Sequence, residues 1–186
     1  MNSSVMKLGV IADTHVPDKA KALHPRTLPI LRQSGVSAIL HAGDISSPGV
    51  LDTLGEIAPV YAVLGNRDWV LLRHLPHHRT LTFDGFTIGL THSHGGLRNY
   101  IIGKFQYIAE GYKLERFKPR LLETFPTADV IVFGHTHRPL VRWVNGKLFF
   151  NPGSTCLTDK RDIPPSMGML YIHPGGQITG EIVPLE

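Results

Sequence analysis

The 186-residue chain has little sulfur and little patterned charge: one cysteine, Cys156, and 19 Lys and Arg spread without a dense run. A single thiol excludes a disulfide framework and a cysteine-rich zinc site. Scattered basic residues and a net charge of +4 do not indicate nucleic acid as a partner. Long apolar runs are missing too. The first is cut short by Asp13, which predicts neither a signal peptide nor a membrane span and makes the cytoplasm the default compartment. There is no repeat, low-complexity tract or linker, and 42% hydrophobic content excludes a disordered chain. The length therefore predicts one domain over residues 1–186. What is abundant is histidine, 11 in all, and metal is the leading reason for such residues to converge.

Apolar runs rich in Val and Ile alternate with helix-length segments. Lys7–Ala12, Ser37–Leu40 and Val60–Leu64 read as buried strands, separated by helices at Arg26–Ser34 and Pro48–Glu56, the second with Ser47 as N-cap and Pro48 at its first position. That order predicts parallel pairing with right-handed crossovers. Asp84-Gly85 and Asn145-Gly146 each sit between short strands and predict hairpins. Arg98–Phe125 reads as helical with a break near Lys118-Pro119, Asp129–Phe133 as a strand, and Met167–Ile172 and Ile178–Val183 as two closing strands. The pattern predicts an α/β fold of two packed sheets with helices outside.

Polar residues cluster where those strands end: Asp13 and His15, Gly43-Asp44, Gly65-Asn66-Arg67-Asp68, Thr91-His92-Ser93-His94 and Gly134-His135-Thr136-His137. Ligands of open α/β sheets bind outside the carboxyl ends of strands, where distant segments meet. Chance would supply about half an Asp-x-His and about one Gly-Asp in such a chain, so neither is informative alone; five motifs in order, each after a strand, are. Carboxylate, imidazole and carboxamide without thiolate suit manganese, iron(II), nickel, zinc or magnesium. Two divalent ions against Asp13 and Asp44 leave about +2, a charge that attracts phosphate and makes hydroxide from a shared water near neutrality.

With Asn151-Pro152-Gly153-Ser154 added, these motifs resemble the calcineurin-like metallophosphoesterases, specifically their small single-domain bacterial and archaeal phosphodiesterase branch. The resemblance implies a four-layer α-β-β-α sandwich of two mixed sheets. It implies that Asp13, His15 and His137 hold one ion, that Asn66, His92 and His135 hold the other, and that Asp44 bridges them. Two positions depart from the family pattern. The His-Gly usual after the strand is here His92-Ser93-His94-Gly95, which leaves His92 or His94 as the ligand. His92 is favoured, with His94 a phosphate contact, a proton shuttle or a surface histidine. Where larger relatives carry a histidine after Gly-Asn, this chain has Arg67, whose guanidinium cannot act as an acid near neutrality. Arg67, held by Asp68, is expected to bind phosphate as a fork and to stabilise charge.

The resulting expectation is a dinuclear, manganese- or nickel-stimulated phosphodiesterase acting on a small phosphorylated substrate by attack of a bridging hydroxide. Asp44, Arg67 and His94 form its catalytic group. The competing readings are a phosphomonoesterase acting on nucleotides or phosphoproteins, and a protein-interaction scaffold, since a eukaryotic retromer subunit has this fold with an impaired site. Oligomeric state is left open, homo-oligomers included. His41 reads as support for Asp44 or as a hydrogen-bonded buried histidine, and Asn151–Ser154 as a structural turn.

Overall fold

The computed structural model describes residues 4–93, 114–156 and 163–186. His94 and the first part of the segment expected to be helical lie outside the described residues. In chain order the elements are β1 (Met6–Ile11), α1 (Thr27–Ser34), β2 (Ala38–His41), α2 (Pro48–Gly55), β3 (Val60–Ala62), β4 (His78–Phe83), β5 (Phe86–Thr91), α3 (Leu114–Thr124), β6 (Val130–Phe133), β7 (Leu140–Val144), β8 (Lys147–Asn151), β9 (Ser166–His173) and β10 (Gln177–Pro184).

They form two mixed five-stranded sheets, ordered β10-β9-β1-β2-β3 and β4-β5-β6-β8-β7. β1, β2 and β3 pair in parallel, as do β5, β6 and β8. Strand alternation sorts the side chains into three apolar layers. Leu8 and Val10 of β1 meet Leu90 of β5, Val132 of β6 and Phe150 of β8 between the sheets. On the outer face of the first sheet Ile11 and Ile39 pack with Leu31 of α1 and Leu54 of α2. On the outer face of the second, Ile131, Phe133 and Phe149 pack with Leu114 and Leu121 of α3. Strands buried on both faces explain why these runs read as continuously apolar. The result is the four-layer α-β-β-α sandwich implied by the resemblance.

Both expected hairpins form, with Asp84 and Gly85, and then Asn145 and Gly146, at positive φ as a two-residue type I′ turn requires. Two local expectations are corrected. Ser47 makes no side-chain cap to α2, although Pro48 does occupy the first turn. α3 runs unbroken through Pro119, because the loss of one N–H there is outweighed by the apolar face held on the sheet. Among the described residues no helix is long and apolar enough to cross a membrane.

Candidate metal centre

The parallel strands of both sheets end on the same side of the sandwich, and the loops that follow them are knitted together. Asp13 N–H donates to Gly43 O and His15 N–H to Asp44 O, each at 3.0 Å, joining the loops after β1 and β2. His135 N–H, from the loop after β6, donates to Asp13 Oδ2 at 3.0 Å. Asp13, His15, Asp44, His135 and His137 all have positive φ, a region that side-chain-bearing residues seldom occupy. Strain shared by five residues at one cluster is the pattern of a functional site.

All seven residues expected as ligands converge. On one side His15 Nε2 and His137 Nε2 stand 3.2 Å apart, with Asp13 Oδ1 at 3.9 and 3.3 Å from them. Asp13, His15 and His137 form one group whose potential ligand atoms lie within 4.8 Å of one another, and Asp13, Asp44 and His92 form a second. Asn66 Oδ1 lies 3.1 Å from His92 Nε2 and 3.0 Å from His135 Nδ1. The two oxygens of Asp44 face opposite ways: Oδ2 is 3.8 Å from His15 Nε2, and Oδ1 is 3.3 Å from His92 Nε2. His92 Nδ1–H donates to Ala42 O at 2.7 Å, which aims Nε2 at the cluster. The donor set suits a cation. Asp13 Oδ1 is buried without a hydrogen-bond donor, and the ring nitrogens of His15 and His137 crowd it.

Burial and charge compete at these groups. Burial pushes His15 down to about 4 despite Asp13 and Asp44. Burial would also lower His92, but Asp44, at closer range and hydrogen-bonded to it, together with Asp13, lifts it to about 9. Burial would raise the two carboxylates, yet His137 and His92 hold Asp13 below the usual range, and His92 and His15 do the same for Asp44.

The surroundings contain a correction and two residues, Asp18 and Asp68, whose structural roles the sequence did not show. Arg67 is 44% exposed, and its guanidinium is held not by Asp68 but by Asp18, with Nη1 donating to Oδ2 at 3.0 Å. Asp68 is buried and accepts from the backbone N–H groups of Asp44, Ile45, Ser46 and Gly65 at 2.7–3.0 Å. It is the clasp between the loops after β2 and β3. These loops approach so closely that a Cβ on Gly65 would fall 2.1 Å from Asp44 N. Asp18 follows His15 by three residues, a spacing too common to carry a signal. His41 is a buried, hydrogen-bonded histidine. Its Nε2 meets Thr14 Oγ1 at 3.2 Å, and that hydroxyl reaches the Asp44 and Ile45 carbonyls. The Asn151–Ser154 turn is structural as expected: Asn151 Nδ2 donates to Gly134 O, and Ser154 Oγ donates to Asp13 O.

A family model described as the calcineurin-like phosphoesterase superfamily domain matches residues 6–175. The chain belongs to the calcineurin-like phosphoesterase superfamily. A "probable metallophosphoesterase" of Methanothermobacter thermautotrophicus is 34% identical over 178 residues, 96% of this chain and 92% of that protein. The same superfamily fold recurs in Vps29 of Cryptosporidium parvum, at a TM-score of 0.69 and 22% identity over 96% of this chain and 97% of that one. A zinc complex of Vps29 from Entamoeba histolytica aligns with a TM-score of 0.65 and 25% identity, covering 97% of this chain and all, 100%, of that one. The phosphoesterase fold thus has buried groups of carboxylate and imidazole side chains at the ends of its strands that could hold a metal ion.

Proposed function

We propose that residues 1–186 form one phosphodiesterase domain that works with two divalent ions, manganese the first choice and nickel, iron(II), zinc or magnesium the alternatives. The observation that carries this reading is the outward splay of Asp44, one oxygen toward His15 and the other toward His92, as a carboxylate shared by two cations requires. Asp13, His15 and His137 are assigned to one ion, and Asn66, His92 and His135 to the other. Once bound, the ions supply Lewis acidity to the phosphoryl oxygens and acidify a water for in-line attack on phosphorus.

The chain's own groups do the rest. Asp13 and Asp44 are the two carboxylates of the set, and neutral Asn66 adds no further negative charge, so an anionic diester is still attracted. Arg67, steadied by Asp18, presents its guanidinium to a phosphoryl oxygen and offsets charge developing there. His94, outside the described residues, is assigned a contact to the same phosphate. Because Arg67 stays charged, it donates no proton to the leaving group, and diesters of acidic alcohols and phenols should react fastest.

The test is hydrolysis of an aryl phosphodiester by metal-stripped protein reloaded with manganese or nickel. Asp44→Ala should abolish turnover, and activity surviving that change or full stripping would overturn the dinuclear assignment. The likeness to Vps29, a vacuolar protein sorting protein, supports a second reading as a protein-binding module. Purified protein that takes up metal yet hydrolyses no phosphoester would favour that reading.

A further inference from the structure

Directly after Arg67 and Asp68 the chain puts three large apolar residues into solvent: Trp69 is 50% exposed, Val70 82% and Leu71 57%. Isolated apolar side chains at a surface are ordinary, but three in succession beside a polar cleft are not. Nor is the segment loose. Asp68 fixes its start through four backbone hydrogen bonds, Leu72 N–H closes a turn onto Asp68 O at 2.9 Å, and the Leu72 side chain is buried. The Cα atoms of Arg67 and Trp69 are two virtual bonds apart, no more than about 7 Å. Trp69 also meets the His77 ring edge-on, with centroids 6.4 Å apart. The His77 carbonyl accepts from Thr91 Oγ1, on the residue preceding His92. The indole is therefore tied on two sides to the half of the site formed by Asn66 and His92.

We infer that Trp69 is a stacking platform for a nucleobase, so that the diester taken by this site is a nucleoside ester whose phosphate lies on Arg67. The kinetic part of this inference rests on the phosphodiesterase reading. Indole binds flat rings through its face, and a nucleoside ester carries such a ring one sugar away from its phosphate. Val70 and Leu71 extend the apolar ledge next to the platform.

The test compares two diesters with the same 4-nitrophenolate leaving group, one esterified to thymidine through its 5′ oxygen and one to ethanol. Trp69→Ala should lower kcat/KM about tenfold on the thymidine ester, the scale of one lost base stack, and less than twofold on the ethyl ester. Trp69→Phe should recover most of the loss. Equal losses on both esters, or none on either, would overturn the proposal. A second arm needs no turnover. Trp69 and Trp143 are the two tryptophans, so Trp143→Phe leaves Trp69 as sole reporter, and thymidine 5′-monophosphate should quench it saturably where inorganic phosphate does not. Absence of that quenching also overturns the proposal. If wild-type protein hydrolyses neither ester while quenching persists, the phosphodiesterase reading fails and the nucleotide platform stands. If Trp69→Ala dissolves a dimer and leaves both esters unchanged, the ledge is a subunit contact and the platform is refuted.

Discussion

Asp68 shows how much of the site depends on a residue that touches none of the proposed ligand atoms. Its carboxylate satisfies four backbone N–H groups, including that of Asp44. Asp68→Ala is expected to cost about 3 kcal/mol, because the freed donors are only partly rehydrated, and to lower the melting temperature by about 6–12 °C. Metal uptake should weaken with it, since the Asp44 loop loses its clasp; isothermal titration beside thermal melts separates the two effects. His41 and His15 make a different prediction. Both sit well below 6.5 when folded, at about 3 and about 4, while in the unfolded chain they take up protons near 6.5. Their stabilisation is complete above that pH and is lost as pH falls toward 4. His92 has the opposite sign: raised to about 9, it stabilises below 6.5 and loses that contribution as pH rises through 9. Metal-free protein should therefore melt highest near pH 6.5, and His41→Gln should flatten only the acid side of the curve.

At the level of elements, α3 is seated by close approach to a strand without a side chain. The ring of Phe125, just past α3, lies over Gly89 of β5, where a Cβ would come within 2.4 Å of it. Gly89→Val should displace Phe125 and cost about 1–3 kcal/mol by overpacking. The loss should be smaller in a Phe125→Leu background, a coupling that a double-mutant cycle would measure. α3 also bears on the site, because the Arg120 guanidinium donates to the carbonyl of Ser93, next to His92. Strands and hairpins were the elements most legible in sequence, since short apolar runs rich in Val and Ile and Asx-Gly turns are local signals. The continuity of α3 through Pro119 was not legible, because it depends on an apolar face meeting Ile131 and Phe149 from elsewhere in the chain.

For the whole molecule the decisive quantity is the charge gathered at the strand ends. In the metal-free cluster Asp44 raises His92 and favours its protonated form, so with His92 as a proposed ligand, uptake of a cation should expel a proton from that ring. Binding heats should differ between buffers of unlike ionisation enthalpy, and affinity should fall as pH drops. Heats that do not depend on the buffer would overturn this proton release. Chelation should also lower the melting temperature, and restoring manganese should bring it back, since a ligand bound only by the folded state stabilises it.

The sequence by itself determined the succession of strands along the chain, the hairpins and the polar motifs after the strands, among which the family resemblance implied the seven side chains that meet at the cluster. Each of those signals is a short pattern, or a residue type placed directly after a predicted strand. Tertiary structure decided the remainder: that Asp18 and not Asp68 holds Arg67, that Asp68 clasps two loops, that His41 bonds Thr14, and that Trp69 stands exposed beside the cleft. These facts depend on which way a side chain points once separate loops are pressed together. Direction of that kind comes from packing between distant segments and has no period along the chain.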